Sequence, residues 1–353
     1  MAEPRIIAKT ALDNIIRKSR VHFYKPIQIA EILYRHRIYK DIDLLKLEEY
    51  RTKSKGWRDA MCLPLLGRVC TSSAKFQDNL FEANAIPPEV LAVLGEENVK
   101  SGGAVEAYIY DCFTYKHDQL SEALNYCRNA SPEGFDVCDF IGSFRTEAGL
   151  KRSIDKVYEI VVFALFSTLI EAMHLQIEVS IPESSFSLLK EFEDFSKKVI
   201  SLDTVNLRHT RNAFVYRVGV TNAADRGLDM YSNWGAAIQI KHLTLDVELA
   251  KNIVDGITSD KVIIVCKDAE KSVIESLLIQ IGWKNRIQSI ITESDLANWY
   301  DKALRGEYAK VLADNLMYTL VDEIENEFPS VDSIPKMLAD RHYETIKDDF
   351  WCR

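Results

Sequence analysis

Asp229, Gln239 and Lys241 are the residues whose types and spacing could do chemistry together. Gln239 and Lys241 stand two apart in a run that reads as a strand, Ala236 to Leu245. Side chains at i and i+2 of a strand leave the same face, so both can aim at one point, while Ile238, Ile240 and His242 turn the other way. Asp229 lies in a shorter run, Leu228 to Tyr231, and Ser232-Asn233-Trp234-Gly235 between the runs has turn chemistry. Such a hairpin gathers a carboxylate, an amide oxygen and an ammonium. A carboxylate holds a hard divalent cation through oxygen, the cation offsets charge developing on a phosphate, and a lysine orients or polarises the attacking water, which is what phosphodiester hydrolysis requires. Gln239 can give one oxygen to a cation, although a neutral amide adds less affinity than a second carboxylate. The same three residue types also suit the wet face of a half-solvated hairpin.

The elements that must position these residues follow the hairpin, which as a whole covers Asn222 to Leu245. A helical pattern from Asp246 to Ile257 leads to an apolar strand, Lys261 to Cys266, a second helix from Ala269 to Ile281 and a strand from Arg286 to Ile291. Strands alternating with helices of this length imply parallel pairing through right-handed crossovers, hence a mixed α/β fold with a central sheet flanked by helices. Ahead of the hairpin, Leu150 to His174 reads as a buried helix, because Ile160 to Phe166 is apolar on every side. Glu159 shares a face there with Val162, Phe163 and Phe166, so ionising it is costly unless a cation such as a metal ion or Arg152 lies near.

The first 149 residues read as mainly helical. Pro26 opens a helix that runs to about Arg37, Thr71-Ser72-Ser73 caps one over Lys75 to Phe81, Pro87-Pro88 opens another, and Ala104 to Asn129 is a long one. Net charge is −9, yet over the first forty residues Arg5, Lys9, Arg17, Lys18, Arg20, Lys25, Arg35, Arg37 and Lys40 outnumber Glu3, Asp13 and Glu31. Arg51 to Arg58 reads as a polar loop around Gly56-Trp57. We expect Lys18, Arg20, Lys25, Arg35, Lys55, Arg58 and Asn233 to contact DNA, although each also fits a solvated surface. After residue 305, Leu296 to Arg305 being stopped by Gly306, a helix from Glu307 to Phe328 begins a C-terminal region for the core or a dimer contact.

Several classes have no support. The chain of 353 residues contains no Walker A loop, no GxGxxG turn, no CxxC pair and no HExxH. Its seven cysteines fit reduced thiols. It has neither an apolar run long enough to span a bilayer nor the order of a signal peptide, so a cytoplasmic protein without membrane contact is expected.

Asp229…Gln239-Ile240-Lys241 resembles the nuclease motif PD…(D/E)xK, with no proline before the aspartate and an amide in place of the second acid. The hairpin and its β-α-β continuation resemble the restriction-endonuclease core. The segments SRVHFYKPIQIAEILYR (19–35), TSSAKFQDNLF (71–81) and RSIDKVYEIV (152–161) then narrow the likeness, since with the hairpin they resemble the HaeII family of type II restriction endonucleases. The resemblance implies a nuclease core over 150–305 behind an N-terminal region, 1–149, that grips DNA, with 306–353 packing on the core or at a dimer interface. It implies Mg2+-dependent cleavage of double-stranded DNA at a short palindrome, with RGCGCY as the family's offering, by a homodimer whose two-fold axis matches the site. A cognate methyltransferase would act on the same sequence. It casts Glu159 beside Asp229 and Gln239 as metal ligands, with Asp225 as the other acid in view. A repair or structure-specific nuclease on the same core, or a DNA-binding protein that has lost catalysis, would carry the same hairpin.

Overall fold

The computed structural model describes residues 3–70, 79–147, 149–218, 228–245, 253, 259, 261–267, 287–328 and 334–353. They form two compact units. The first holds Met1–Val157 with Val321–Arg353, the second Tyr158–Gly219 with Ala224–Leu320, and Val220–Ala223 groups with the first.

The first unit is helical. Its longer helices include α1 (Pro4–Lys18), α2 (Tyr24–Ile38), α3 (Lys53–Leu66), α4 (Pro88–Lys100), α5 (Ala104–Asn129) and α6 (Val137–Thr146). Leu12, Ile27, Leu33, Leu94, Ile109 and Phe113 meet in one core, which Ile334, Tyr343 and Trp351 of the C-terminal segment complete. The helix from Ala104 to Asn129 has the bounds its sequence predicts, because Gly102 and Gly103 adopt positive φ before it and Ser131 begins a turn after it. Asp136 caps α6 by accepting the Cys138 and Asp139 N–H groups. The predicted loop around Gly56-Trp57 is helix α3, and Arg58 is only 2% exposed. Its guanidinium donates to Gln28 and is paired with Asp59, so the buried charge has both a counter-ion and a hydrogen-bond acceptor. The proposed cap at Thr71-Ser72-Ser73 and most of the helix after it lie outside the described residues.

The second unit contains a five-stranded sheet in the order β3 (Val215–Arg217), β4 (Met230–Ser232), β5 (Ala236–Lys241), β6 (Lys261–Cys266) and β7 (Ile287–Thr292). The first three strands pair antiparallel and the last three parallel, which is the mixed sheet expected from the sequence. The helices proposed over 246–257 and 269–281 lie outside the described residues, apart from Ile253. Helix α7 (Ile154–Ala172) enters this unit at Tyr158, whose hydroxyl donates to the Cys266 carbonyl at 3.2 Å, and α8 (Glu293–Arg305) follows β7 behind a capping box at Thr292 and Asp295. Tyr300 of α8 donates to the Val161 carbonyl at 2.8 Å and fixes α8 against α7. Helix α9 (Ala309–Glu327) succeeds it, and α10 (Ile334–Asp340) belongs to the first unit.

A separate two-stranded antiparallel ribbon, β1 (Gln176–Ser180) with β2 (Arg208–Asn212), precedes β3. Its strands are too short and too polar to stand out in the sequence. Among the described residues no helix is long and apolar enough to cross a membrane.

Candidate active site

The hairpin forms two residues later on its first strand than predicted, at Met230–Ser232 instead of Leu228–Tyr231. Ser232 closes it: its hydroxyl accepts the Ala236 N–H at 2.8 Å and lies 3.2 Å from the Ala236 carbonyl, while Gly235 takes a φ of 96° that only glycine adopts without strain. The register pairs Tyr231 with Ala237 and Met230 with Ile238, so the next step sets Asp229 against Gln239. Asp229 itself is outside the strand proper, yet its backbone is fixed, since its carbonyl accepts the Val218 N–H at 2.9 Å.

Three donors converge on Asp229 Oδ2. The Ile240 N–H reaches it at 2.7 Å, the Gln239 side-chain amide donates to it, and Lys241 Nζ lies 3.9 Å away. Oδ2 therefore accepts two hydrogen bonds, one from the backbone and one from a side chain, and faces the Lys241 ammonium as an ion pair. Gln239 and Lys241 are legible in the sequence, but a backbone donor such as the Ile240 N–H has no residue signature.

Gln239 is only 2% exposed, so it is not part of the wet face of a half-solvated hairpin, whereas the Lys241 side chain stays 30% exposed. The reason is topological. Strand β5 lies between β4 and β6, and both faces of a strand in a parallel region are covered, so Ala236 to Ile240 are all buried. Gln239 Oε1 is buried there with no hydrogen-bond partner, an arrangement that costs about 1–3 kcal/mol when nothing compensates. A cation beside the Asp229 carboxylate would accept that oxygen, so the donor set present, one carboxylate and one amide oxygen, fits a hard divalent ion. Lys241 closes the strand at its carboxyl end, opposite Cys266 in the parallel register. Carboxyl ends of such strands are where open α/β sheets bind ligands.

Glu159 is 5% exposed on α7, one residue after the tyrosine that bonds Cys266. The helix thus comes to the strand end that carries Lys241, with Lys151, Arg152 and Asp155 exposed at its start. Among the described residues no group of three His, Cys, Asp or Glu side chains is set to hold a metal ion. Asp225 lies outside the described residues.

The residues proposed for DNA contact divide by environment. Lys18 and Arg20 are exposed at the end of α1 and just beyond it. Lys25 donates to Asn79 at 2.5 Å, and burial lowers the pKa of its ammonium. Arg35 forks onto Asp41 and lies over the rings of Tyr39 and Trp57, and Lys55 is half-buried on α3. Arg58 is enclosed, as described above. Asn233 is engaged in the fold: its Nδ2 donates to the Asn212 carbonyl at 3.0 Å and its Oδ1 accepts the Phe214 N–H at 2.9 Å.

The model of the HaeII restriction endonuclease family matches residues 8–343. The chain belongs to the HaeII restriction endonuclease family. It is 55% identical over 328 residues to the type II restriction enzyme HaeII of Haemophilus aegyptius, covering 93% of each chain, and 55% identical over 331 residues to the type II restriction enzyme NgoBI of Neisseria gonorrhoeae, covering 94% of each. No solved structure matches the chain. The resemblance seen in the three sequence segments therefore extends over nearly the whole length, and a mixed sheet carrying Asp229 and Lys241 is consistent with a restriction-endonuclease fold. As a member of the HaeII family the chain is a restriction endonuclease, a site-specific nuclease and hydrolase.

Proposed function

We propose that this chain is a type II enzyme that hydrolyses phosphodiester bonds of double-stranded DNA at the palindrome RGCGCY in a Mg2+-dependent reaction. Its near-complete match to the HaeII family supports the reaction class. The observation that carries the site is the buried, partnerless Gln239 Oε1 beside the Asp229 carboxylate.

In this reading Asp229, Gln239 and Glu159 hold the ion, which when bound supplies positive charge against the phosphate and lowers the pKa of water. Asp229 and Gln239 are catalytic through that oxygen set. Lys241 orients the water and the scissile phosphate from the strand end. Its ammonium, about a third exposed, can reach both the Asp229 carboxylate and a substrate anion. Residues 150–305 are the catalytic part, 1–149 contribute phosphate contacts through Lys18, Arg20, Lys25, Arg35 and Lys55, and Asn233 acts by holding the hairpin turn to the chain before it. A homodimer reads the palindrome in the cytoplasm, and a cognate methyltransferase protects the same sequence.

Purified full-length protein incubated with a plasmid of known sequence tests this. Discrete fragments ending at RGCGCY sites, formed with Mg2+ and not with EDTA, are expected. A smear, cutting at branched structures only, or DNA that stays intact with Mg2+ overturns it.

A further inference from the structure

The ribbon before the catalytic hairpin carries a face made wholly of hydrogen-bonding side chains. In the β1–β2 register Gln176 stands opposite Asn212, Glu178 opposite Thr210 and Ser180 opposite Arg208. Cross-strand partners share a face, and all six of these residues are exposed. The other face, Ile177 with Arg211 and Val179 with His209, is largely half-buried. These are the types that discriminate bases: arginine reads guanine, asparagine and glutamine read adenine, an acid accepts from cytosine, and hydroxyls serve either.

The dimensions also agree. A two-stranded ribbon fits the major groove, and five residues at about 3.3 Å each cover roughly the rise of five base pairs. Beyond Asn212 the alternation continues, with Ala213 and Val215 buried and Phe214 and Tyr216 exposed, so β2 runs on into β3 at the edge of the catalytic sheet. Asn233 ties the two together. It bonds the Asn212 carbonyl and the Phe214 N–H, and its own carbonyl accepts from Arg211 at 3.3 Å.

We infer that the exposed face of the β1–β2 ribbon, with Arg208 and Asn212 foremost, reads base edges in the major groove of the DNA site. Asn233 is the positioning residue that keeps it in register with Asp229 and Lys241. This rests on the proposed site-specific cleavage and names the part that supplies its specificity.

Binding of the full-length protein to a duplex containing RGCGCY and to a scrambled duplex, both in Ca2+ so that no cutting intervenes, tests it. Arg208→Ala and Asn212→Ala should each lower the ratio of the two affinities roughly 5- to 150-fold, with scrambled-duplex binding by Asn212→Ala within about threefold of wild type. Arg208→Lys, which keeps the charge without the fork, should lose discrimination as the alanine variant does and retain the wild-type salt dependence. Both side chains are exposed, so melting should stay within a few degrees of wild type, and Thr210→Val offers a third, nearly isosteric probe. Unchanged ratios in these variants, or full discrimination restored by Arg208→Lys, overturn the inference alone. A wild-type protein without preference between the duplexes overturns the proposed function together with it.

Discussion

Gln239 donates its side-chain amide to the Asp229 carboxylate across the β4–β5 hairpin, while its own Oε1 is buried without a partner. The pair is thus half satisfied, and the unmet half is an oxygen acceptor at the place where the proposed chemistry needs a cation. Replacing the amide by a carboxylate exchanges a donor for a second negative charge facing Asp229. Gln239→Glu should lower the melting temperature in EDTA, since like charges oppose each other there, and should regain more stability on adding Mg2+ than wild type does. It should also lower the Mg2+ concentration for half-maximal cleavage. Gln239→Leu, which offers no oxygen, should raise that concentration or abolish cutting. Identical Mg2+ titrations for all three proteins would remove Gln239 from the ligand set.

Asp229 accepts from a backbone N–H as well as from side chains, so its loss has a structural cost besides the chemical one. Asp229→Ala leaves the buried Ile240 N–H without its acceptor, a loss of about 1–3 kcal/mol in unfolding free energy. Cleavage should be undetectable while specific DNA binding in Ca2+ persists. Urea unfolding and a gel-shift assay check the two halves separately, and retained cleavage would place the active site elsewhere.

Lys241 predicts the opposite balance. Its ammonium is 3.9 Å from Asp229 Oδ2 and partly solvated, a geometry in which ion pairs contribute little, about 0–1 kcal/mol. Lys241→Ala should melt within a few degrees of wild type and yet lose cleavage by at least roughly a hundredfold. A large fall in melting temperature with activity preserved would make this lysine structural.

The parts of the fold legible in the sequence are those whose signals are local. Strand 261–266 carries an apolar run, Val262 to Cys266, strand 287–292 lies within one residue of the 286–291 expected, and α5 is bracketed by Gly102-Gly103 and Ser131-Pro132. Asp229, Gln239 and Lys241 converge because the period of a strand and the chemistry of a turn are both local. What was not legible depends on partners far along the chain. Ile177 and Val179 give β1 too short an alternation to recognise, and its partner strand begins at Arg208. Arg58 looked like a loop cation because its burial and its hydrogen bond to Gln28 of α2 are invisible until α2 and α3 pack. The family resemblance supplied the enzyme class, which spacing alone could not.

His22, half-buried, and His117, buried, make the stability of the helical unit depend on pH. Burial pushes the pKa of both His22 and His117 down to about 4, and His117 Nε2 is bonded to the Val21 carbonyl at 2.9 Å. Their folded values lie below the unfolded value of about 6.5, so between those limits the unfolded chain binds more protons. Stability is therefore whole above pH 6.5 and declines as pH falls toward 4, by up to about 1.4 kcal/mol per pH unit for each histidine. Urea midpoints measured from pH 7.5 to 4.5 should show this slope. His117→Gln, which can still donate to the Val21 carbonyl but takes up no proton, should remove about half of it. An unchanged slope in that variant would assign the acid sensitivity to other groups.

The C-terminal segment is held to the same unit by Arg341. Its guanidinium forks onto Glu31 at 2.7 and 2.9 Å, lies 3.9 Å from the centre of the Tyr34 ring and donates to Tyr343 at 3.3 Å. Tyr110 also donates to Glu31 at 2.6 Å, and Tyr343 passes the network on to Glu106, which Arg37 grips at 2.9 and 2.8 Å. Both Arg341 and Glu31 are largely out of water, so the attraction is strong but the desolvation it offsets is of similar size. Removing one partner is a different matter from removing both. Arg341→Ala strands a buried carboxylate and should cost about 3–5 kcal/mol, whereas Arg341→Met combined with Glu31→Leu keeps volume, buries no charge and should recover most of that loss. Urea midpoints of the two variants decide it. If Arg341→Ala costs less than about 1 kcal/mol, the pair behaves as an exposed one and the segment after Ile334 is retained by Trp351 and its apolar neighbours instead.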